Sequence, residues 1–146
     1  TLNPYVDPNV RDAHEGIYAV ASATEANGNW LEITNSSLTV LNCEAPTIQY
    51  IEAVKGAKSA QGNTLIVRNS DITSKSTIYF SAATVNHSQG ADFANGNSVF
   101  IGSTDKDNQM TITHEQDGTL TFVYGGRVYS TDSGKTVQAN KSQHQQ

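Results

Sequence analysis

The chain has 146 residues, 36% of them hydrophobic, and a net charge of −5 at neutral pH, the size of one domain that buries a core without covalent staples. Its nine Lys and Arg residues are scattered, which excludes a nucleic-acid partner, because counterion release needs clustered cations, and disfavours an anionic membrane surface. The single cysteine, Cys43, rules out an intrachain disulfide, and no apolar run reaches the ~20 residues of a membrane-spanning helix.

Polarity comes from Asn, Gln, Ser, Thr and Gly rather than from charge. Such residues suit turns and solvent-facing strand positions and suit helices poorly. The composition is that of an exported bacterial protein, so a secreted, periplasmic or cell-envelope location is expected. The chain opens at Thr1 rather than Met. That is compatible with a removed signal peptide, or with a lipoprotein leader and a lipid tether upstream.

Residues 1–13 carry Pro4 and Pro8 without periodicity and read as an extended arm. Residues 14–131 read as a single β domain, and 132–146, nearly devoid of apolar side chains, as a disordered polar tail. From Gly16 onward, short apolar segments are separated by turn residues every eight to twelve positions or so. Strands are predicted at 16–22, 47–54, 64–68, 76–85 and 98–103. Residues 30–34 and 37–43 read as a hairpin about Asn35-Ser36, since Asn tolerates the left-handed region. Residues 52–60 are the best candidate for a turn or two of helix, with Gly56 against it.

The clearest unit spans 109–131. A three-residue loop, Gln116-Asp117-Gly118, would pair Ile112 with Phe122 and His114 with Leu120 across an antiparallel hairpin. Gly125-Gly126 would then make a tight primed turn into a third strand. No internal repeat is read. Strands in sequence order joined by short turns predict an all-β fold: an antiparallel up-and-down barrel or a β-sandwich of nine or ten short strands.

Gly16-Ile17-Tyr18 at the start of the first strand resembles the glycine-x-aromatic opening of lipocalin-like barrels. The likeness covers three residues, and what it implies is a barrel. Small bacterial envelope lipoproteins, lysozyme inhibitors among them, share the look of an exported single-domain barrel. No inhibitor motif stands in this sequence.

No coherent catalytic motif is present. His14 and His114 each precede a glutamate but lack the second histidine of HExxH. Asp105 and Asp107 open like a calcium loop, but Met110 and Gln116 stand where Gly and Glu are needed. Ser103 and Lys106 match SxxK in a loop without a partner motif. No cofactor or metal is therefore expected. Glu32 and Glu52 stand out because they lie inside predicted strands; the plain expectation is the solvent face. The connection 86–97 is of a length at which loops tend to be functional, and it carries His87 and Phe93. Tyr124, Arg127 and Tyr129 flank the Gly-Gly pair and are of types enriched at contact surfaces. These five are the candidate binding residues.

The expectation is a non-enzymatic binding domain that takes a small ligand or a protein partner through one end of a barrel. The alternatives are an inhibitor or immunity protein whose acidic balance steers it to a basic hydrolase such as lysozyme, a small hydrolytic enzyme, and a structural or adhesive module.

Overall fold

The computed structural model describes residues 16–21, 23–40, 48–86, 93–104, 109–129, 138–139 and 143–145. The first coil of chain contains β1 (Gly16–Ala21), β2 (Glu25–Asn27), β3 (Trp30–Thr34) and β4 (Ser37–Val40). The second contains β5 (Ile48–Ala57), β6 (Ser59–Gln61), β7 (Thr64–Arg68) and β8 (Asp71–Ser74). The third contains β9 (Thr77–Asn86), β10 (Phe93–Asn95), β11 (Ser98–Gly102) and β12 (Thr111–His114). A fourth begins with β13 (Thr121–Tyr129), β14 (Gln138–Ala139) and β15 (Gln143–Gln145).

Each strand pairs with its counterpart one coil away, and every pairing is parallel. The sheets run β1-β5-β9-β13, β14-β10-β6-β2, β15-β11-β7-β3 and β12-β8-β4. The architecture is a parallel β-solenoid, in which each coil is a rung and the core is a column of stacked side chains.

This corrects the antiparallel barrel or sandwich. Fifteen strands are described where nine or ten are expected: the predicted ones lie close to where alternation places them, while β2, β6, β8, β10, β14 and β15 are additional, and the partners differ. Residues 30–34 and 37–40 do not pair with each other: Leu31 pairs with Leu65 and Leu38 with Ile72. Ile112 pairs with Ile72 rather than Phe122, and Phe122 with Tyr79. Residues 52–60 are strand, not helix, with Gly56 at φ +72°. Gly125 and Gly126 are no turn, because β13 runs straight through them. Gly126 is needed for close packing: a Cβ there would stand 3.2 Å from Ala94 Cβ and from Asn97 Nδ2.

An internal repeat is also present. Ala26-Asn27-Gly28-Asn29, Ala60-Gln61-Gly62-Asn63 and Ala94-Asn95-Gly96-Asn97 recur at intervals of 34 residues. Each marks the same corner of the coil. The glycines sit at φ +68°, +64° and +65°, where a side chain would be strained. The asparagines after them form a ladder. Asn63 Oδ1 accepts from the backbone N–H and the Nδ2 of Asn29, both at 2.9 Å. Asn97 Oδ1 accepts from Asn63 N at 3.0 Å and Asn63 Nδ2 at 2.9 Å. Asn63 Nδ2 also donates to the Ala26 carbonyl at 2.8 Å, and Asn97 Nδ2 to that of Ala60 at 3.2 Å. The corner's backbone groups would otherwise be buried without partners. Ala94 and Asn97 thus belong to a strand and a corner, which cuts short the long loop expected over 86–97.

The interior stacks like on like. Leu31, Leu65 and Val99 form one column; Ile33, Val67 and Ile101 another; Ile17, Ile51, Phe80 and Val123 a third. A second cluster of mostly small residues, including Ala26, Ala60, Ala94, Val54 and Ala83, forms a separate part of the core. The middle rungs are sealed, whereas Leu31, Ile33, Ile112 and Val123 in the outer rungs are only half-buried.

Removing the central ladder side chain strands donors and acceptors on both sides. Asn63→Ala is expected to lower stability by roughly 2–3 kcal/mol, and Asn29→Ala, half-buried in the first rung, by less. The ranking is checked by urea unfolding of the two variants.

Candidate functional site

The outer face of β1-β5-β9-β13 carries three lateral rows of side chains. Register places Gly16, Tyr50, Tyr79 and Phe122 in one row, Tyr18, Glu52, Ser81 and Tyr124 in the next, and Ala21, Lys55, Thr84 and Arg127 in the third. Between the second and third rows, Ala53 with Val54 and Ala82 with Ala83 are fully buried. Two successive residues facing inward bend the strands, so the second and third rows converge on the outside.

Parallel register stacks the rings along the solenoid axis, as it does side chains in any in-register parallel sheet. Tyr50 and Tyr79 have centroids 5.3 Å apart, Tyr79 and Phe122 4.9 Å, and Tyr79 and Tyr124 5.9 Å, with planes within 29°. Two cations lie over this stack. Lys55 Nζ is 4.7 Å from the Tyr18 centroid and 5.9 Å from that of Tyr50. The Arg127 guanidinium is 4.9 Å from Tyr79 and 5.6 Å from Tyr124. Cations over ring faces gain from the negative π surface.

Beneath them Glu52 is only 1% exposed. Its Oε1 accepts from Ser81 Oγ at 2.7 Å and from Thr84 Oγ1 at 2.5 Å, one hydroxyl from each converging row. Its Oε2 is buried without a hydrogen-bond partner, and so is the Tyr18 hydroxyl. Burial raises the Glu52 carboxyl above its ordinary value, opposed by the two hydroxyl bonds and by Arg127 and Lys55. Burial also raises the Tyr18 phenol, and Glu52 raises it further. Tyr50 is raised by burial and held back by Arg127. Glu52 lies on the outer face but is buried there rather than solvent-exposed, which corrects the plain expectation for it.

Of the five candidate residues, Tyr124 and Arg127 stand on this face. Tyr129 ends β13 opposite Asn86, and Phe93 opens β10 opposite Ser59. His87 lies outside the described residues, as do Cys43, His14, Lys106, Asp105, Asp107 and the arm 1–13. Glu32 is exposed: its Oε2 accepts from Trp30 Nε1 at 3.3 Å and its Oε1 from Thr34 Oγ1 at 3.0 Å. Both ring nitrogens of His114 meet threonine hydroxyls, Nε2 with Thr121 at 2.6 Å and Nδ1 with Thr119 at 3.1 Å. Among the described residues, no three His, Cys, Asp or Glu side chains group as metal ligands, and no helix is long and apolar enough to cross a membrane. Tyr50, Tyr79, Ser81 and Thr84 were not singled out from sequence, and Tyr18 only as part of the Gly16-Ile17-Tyr18 opening. A 34-residue period brings Tyr18 level with Glu52 but not Tyr50 with Tyr79, which stand 29 residues apart, so no fixed repeat in the sequence would have aligned this face.

Comparison with protein-family models, curated proteins and solved structures finds no match. The reading of this face therefore rests on its own geometry.

The raised carboxyl has a thermodynamic consequence. Between the ordinary value of 4.5 and the higher folded value, the native state holds more protons at Glu52 than the unfolded state. Stability from this group is full below that window and falls as pH rises through it. Glu52→Gln removes the dependence. The variant is expected to match the parent at acid pH and exceed it in thermal midpoint at neutral pH, as a pH series of melts checks.

Proposed function

We propose that the protein is a non-enzymatic binding domain of the bacterial cell envelope, secreted or periplasmic, which engages a small ligand or protein partner through the outer face of β1-β5-β9-β13. The convergence of Tyr18, Tyr50, Glu52, Lys55, Tyr79, Ser81, Thr84, Tyr124 and Arg127 on one sheet supports this reading. A barrel mouth is no longer available, because the interior is filled by Phe80, Ile51, Leu65 and their neighbours. Binding has to use an outside surface.

Rings, cations and hydroxyls held on a rigid sheet lose little entropy when they make contacts, which favours recognition. A paired acid and base would favour chemistry instead, but Glu52 is the one carboxylate in the three rows. The inhibitor reading, an acidic chain docking on a basic target, gains nothing from a face whose two long charged side chains are Lys55 and Arg127.

The test is an amide-shift map of the isotope-labelled chain titrated with a library of small polar fragments. Shifts clustering on the strands around Glu52, Ser81 and Tyr124, and lost in Tyr124→Ala, are expected. Shifts confined to other surfaces, or none at all, overturn the assignment.

A further inference from the structure

Two buried polar atoms on this face have no hydrogen-bond partner: Glu52 Oε2 and the Tyr18 hydroxyl. An unsatisfied buried acceptor is destabilising, so an orphan inside an otherwise satisfied cluster calls for an explanation. Glu52 Oε1 already has two short bonds, from Ser81 and Thr84. What Oε2 lacks is a donor. The Tyr18 hydroxyl, one rung away in the same row, can both donate and accept.

We infer that the binding face takes a saccharide, with Glu52 Oε2 accepting from one sugar hydroxyl and the Tyr18 hydroxyl completing the contact. This rests on the proposed binding role of the face and names its ligand class. The surrounding chemistry decides among ligand types. A cationic ligand would compete for ring faces that Lys55 and Arg127 already cover. A phosphate or carboxylate brought to Oε2 would set acceptor against acceptor. A sugar supplies neutral hydroxyls that donate to Oε2 and exchange roles with the hydroxyls of Tyr18, Ser81 and Thr84. From Tyr18 to Tyr124 the row crosses three rung spacings, about 14 Å at the ~4.8 Å separation of paired strands. That length admits a short oligosaccharide along the solenoid axis. Glu52 is itself buried, so the contact requires neighbouring side chains, such as the long and partly exposed Lys55 and Arg127, to move aside.

The experiment titrates the full chain with maltohexaose, cellohexaose and chitohexaose at neutral pH, reading affinity by calorimetry and location by amide shifts. At least one of the three is expected to bind with shifts on β1, β5, β9 and β13. Glu52→Gln, which offers a donor beside Oε1 in place of Oε2, is expected to weaken binding at least tenfold. Tyr18→Phe, which removes only the partnerless hydroxyl, is expected to weaken it several-fold with a melting midpoint no lower than the parent's. It keeps the test open should Glu52→Gln fold poorly. Absence of binding by all three sugars at millimolar concentration overturns the inference. So does binding that maps elsewhere, or that neither substitution weakens. The fragment map on the same face would survive those outcomes, so a wrong ligand class and a wrong surface give different results.

Discussion

Parallel register is the constraint on which the rest of this molecule depends. When each strand pairs with its counterpart one coil away, every side chain meets its own equivalent above and below. Leu65 must tolerate Leu31 and Val99, and Ala60 must tolerate Ala26 and Ala94. At the Gly-Asn corner the rule becomes chemical, because one asparagine's amide is satisfied by the next. A single misplaced residue would disturb both its own rung and its neighbours, as expected for a quasi-one-dimensional fold.

The outer face follows from the same constraint. Tyrosines and a phenylalanine that are far apart in sequence become a stack because register aligns them. Glu52 becomes buried because Ser81 and Thr84 arrive from the next rung and Arg127 from the one after. The bend at Ala53-Val54 is what draws two rows together. The polar cluster is therefore a product of coil geometry and would not survive if the strands were paired any other way.

Strand positions were legible because apolar alternation has a period of two whatever the partner. The direction of pairing was not. An open parallel sheet usually has both faces covered and reads as a continuous apolar run. Here part of the outer face is wet, so Ser37–Val40 and Thr111–His114 alternate like antiparallel strands, whereas Thr64–Arg68 keeps the continuous apolar run of a covered parallel strand. Asn35 and Gly118 do take left-handed conformations, at φ 51° and 80°, so the turn chemistry at both places was read correctly; only the inference that such turns reverse the chain failed. The repeat is hard to read because identity is sparse: it survives at the Gly-Asn corner, at Asn35-Ser36 against Asn69-Ser70, and at scattered positions such as Leu31 and Leu65. Elsewhere residues are exchanged for others of the same size, and the coils differ in length, since Asp71 pairs with Thr111 while Thr64 pairs with Ser98. Glu52 was visible as a carboxylate within a strand. Its burial was not, because its partners lie 29 and 32 residues away.

The stacked coils also give the molecule a mechanical character. The hydrogen bonds between rungs run along the solenoid axis, the direction in which the rings and the asparagine amides are stacked. A load applied along that axis meets them head-on, one rung at a time, so the molecule yields by peeling and not by a single global rupture. A coil with the 34-residue interval of the corner repeat occupies only ~4.8 Å of the folded axis. Drawn out at about 3.5 Å per residue, it lengthens the chain by on the order of 11 nm. Under such a load the domain would lengthen in steps of one coil each, unequal because the coils differ in length.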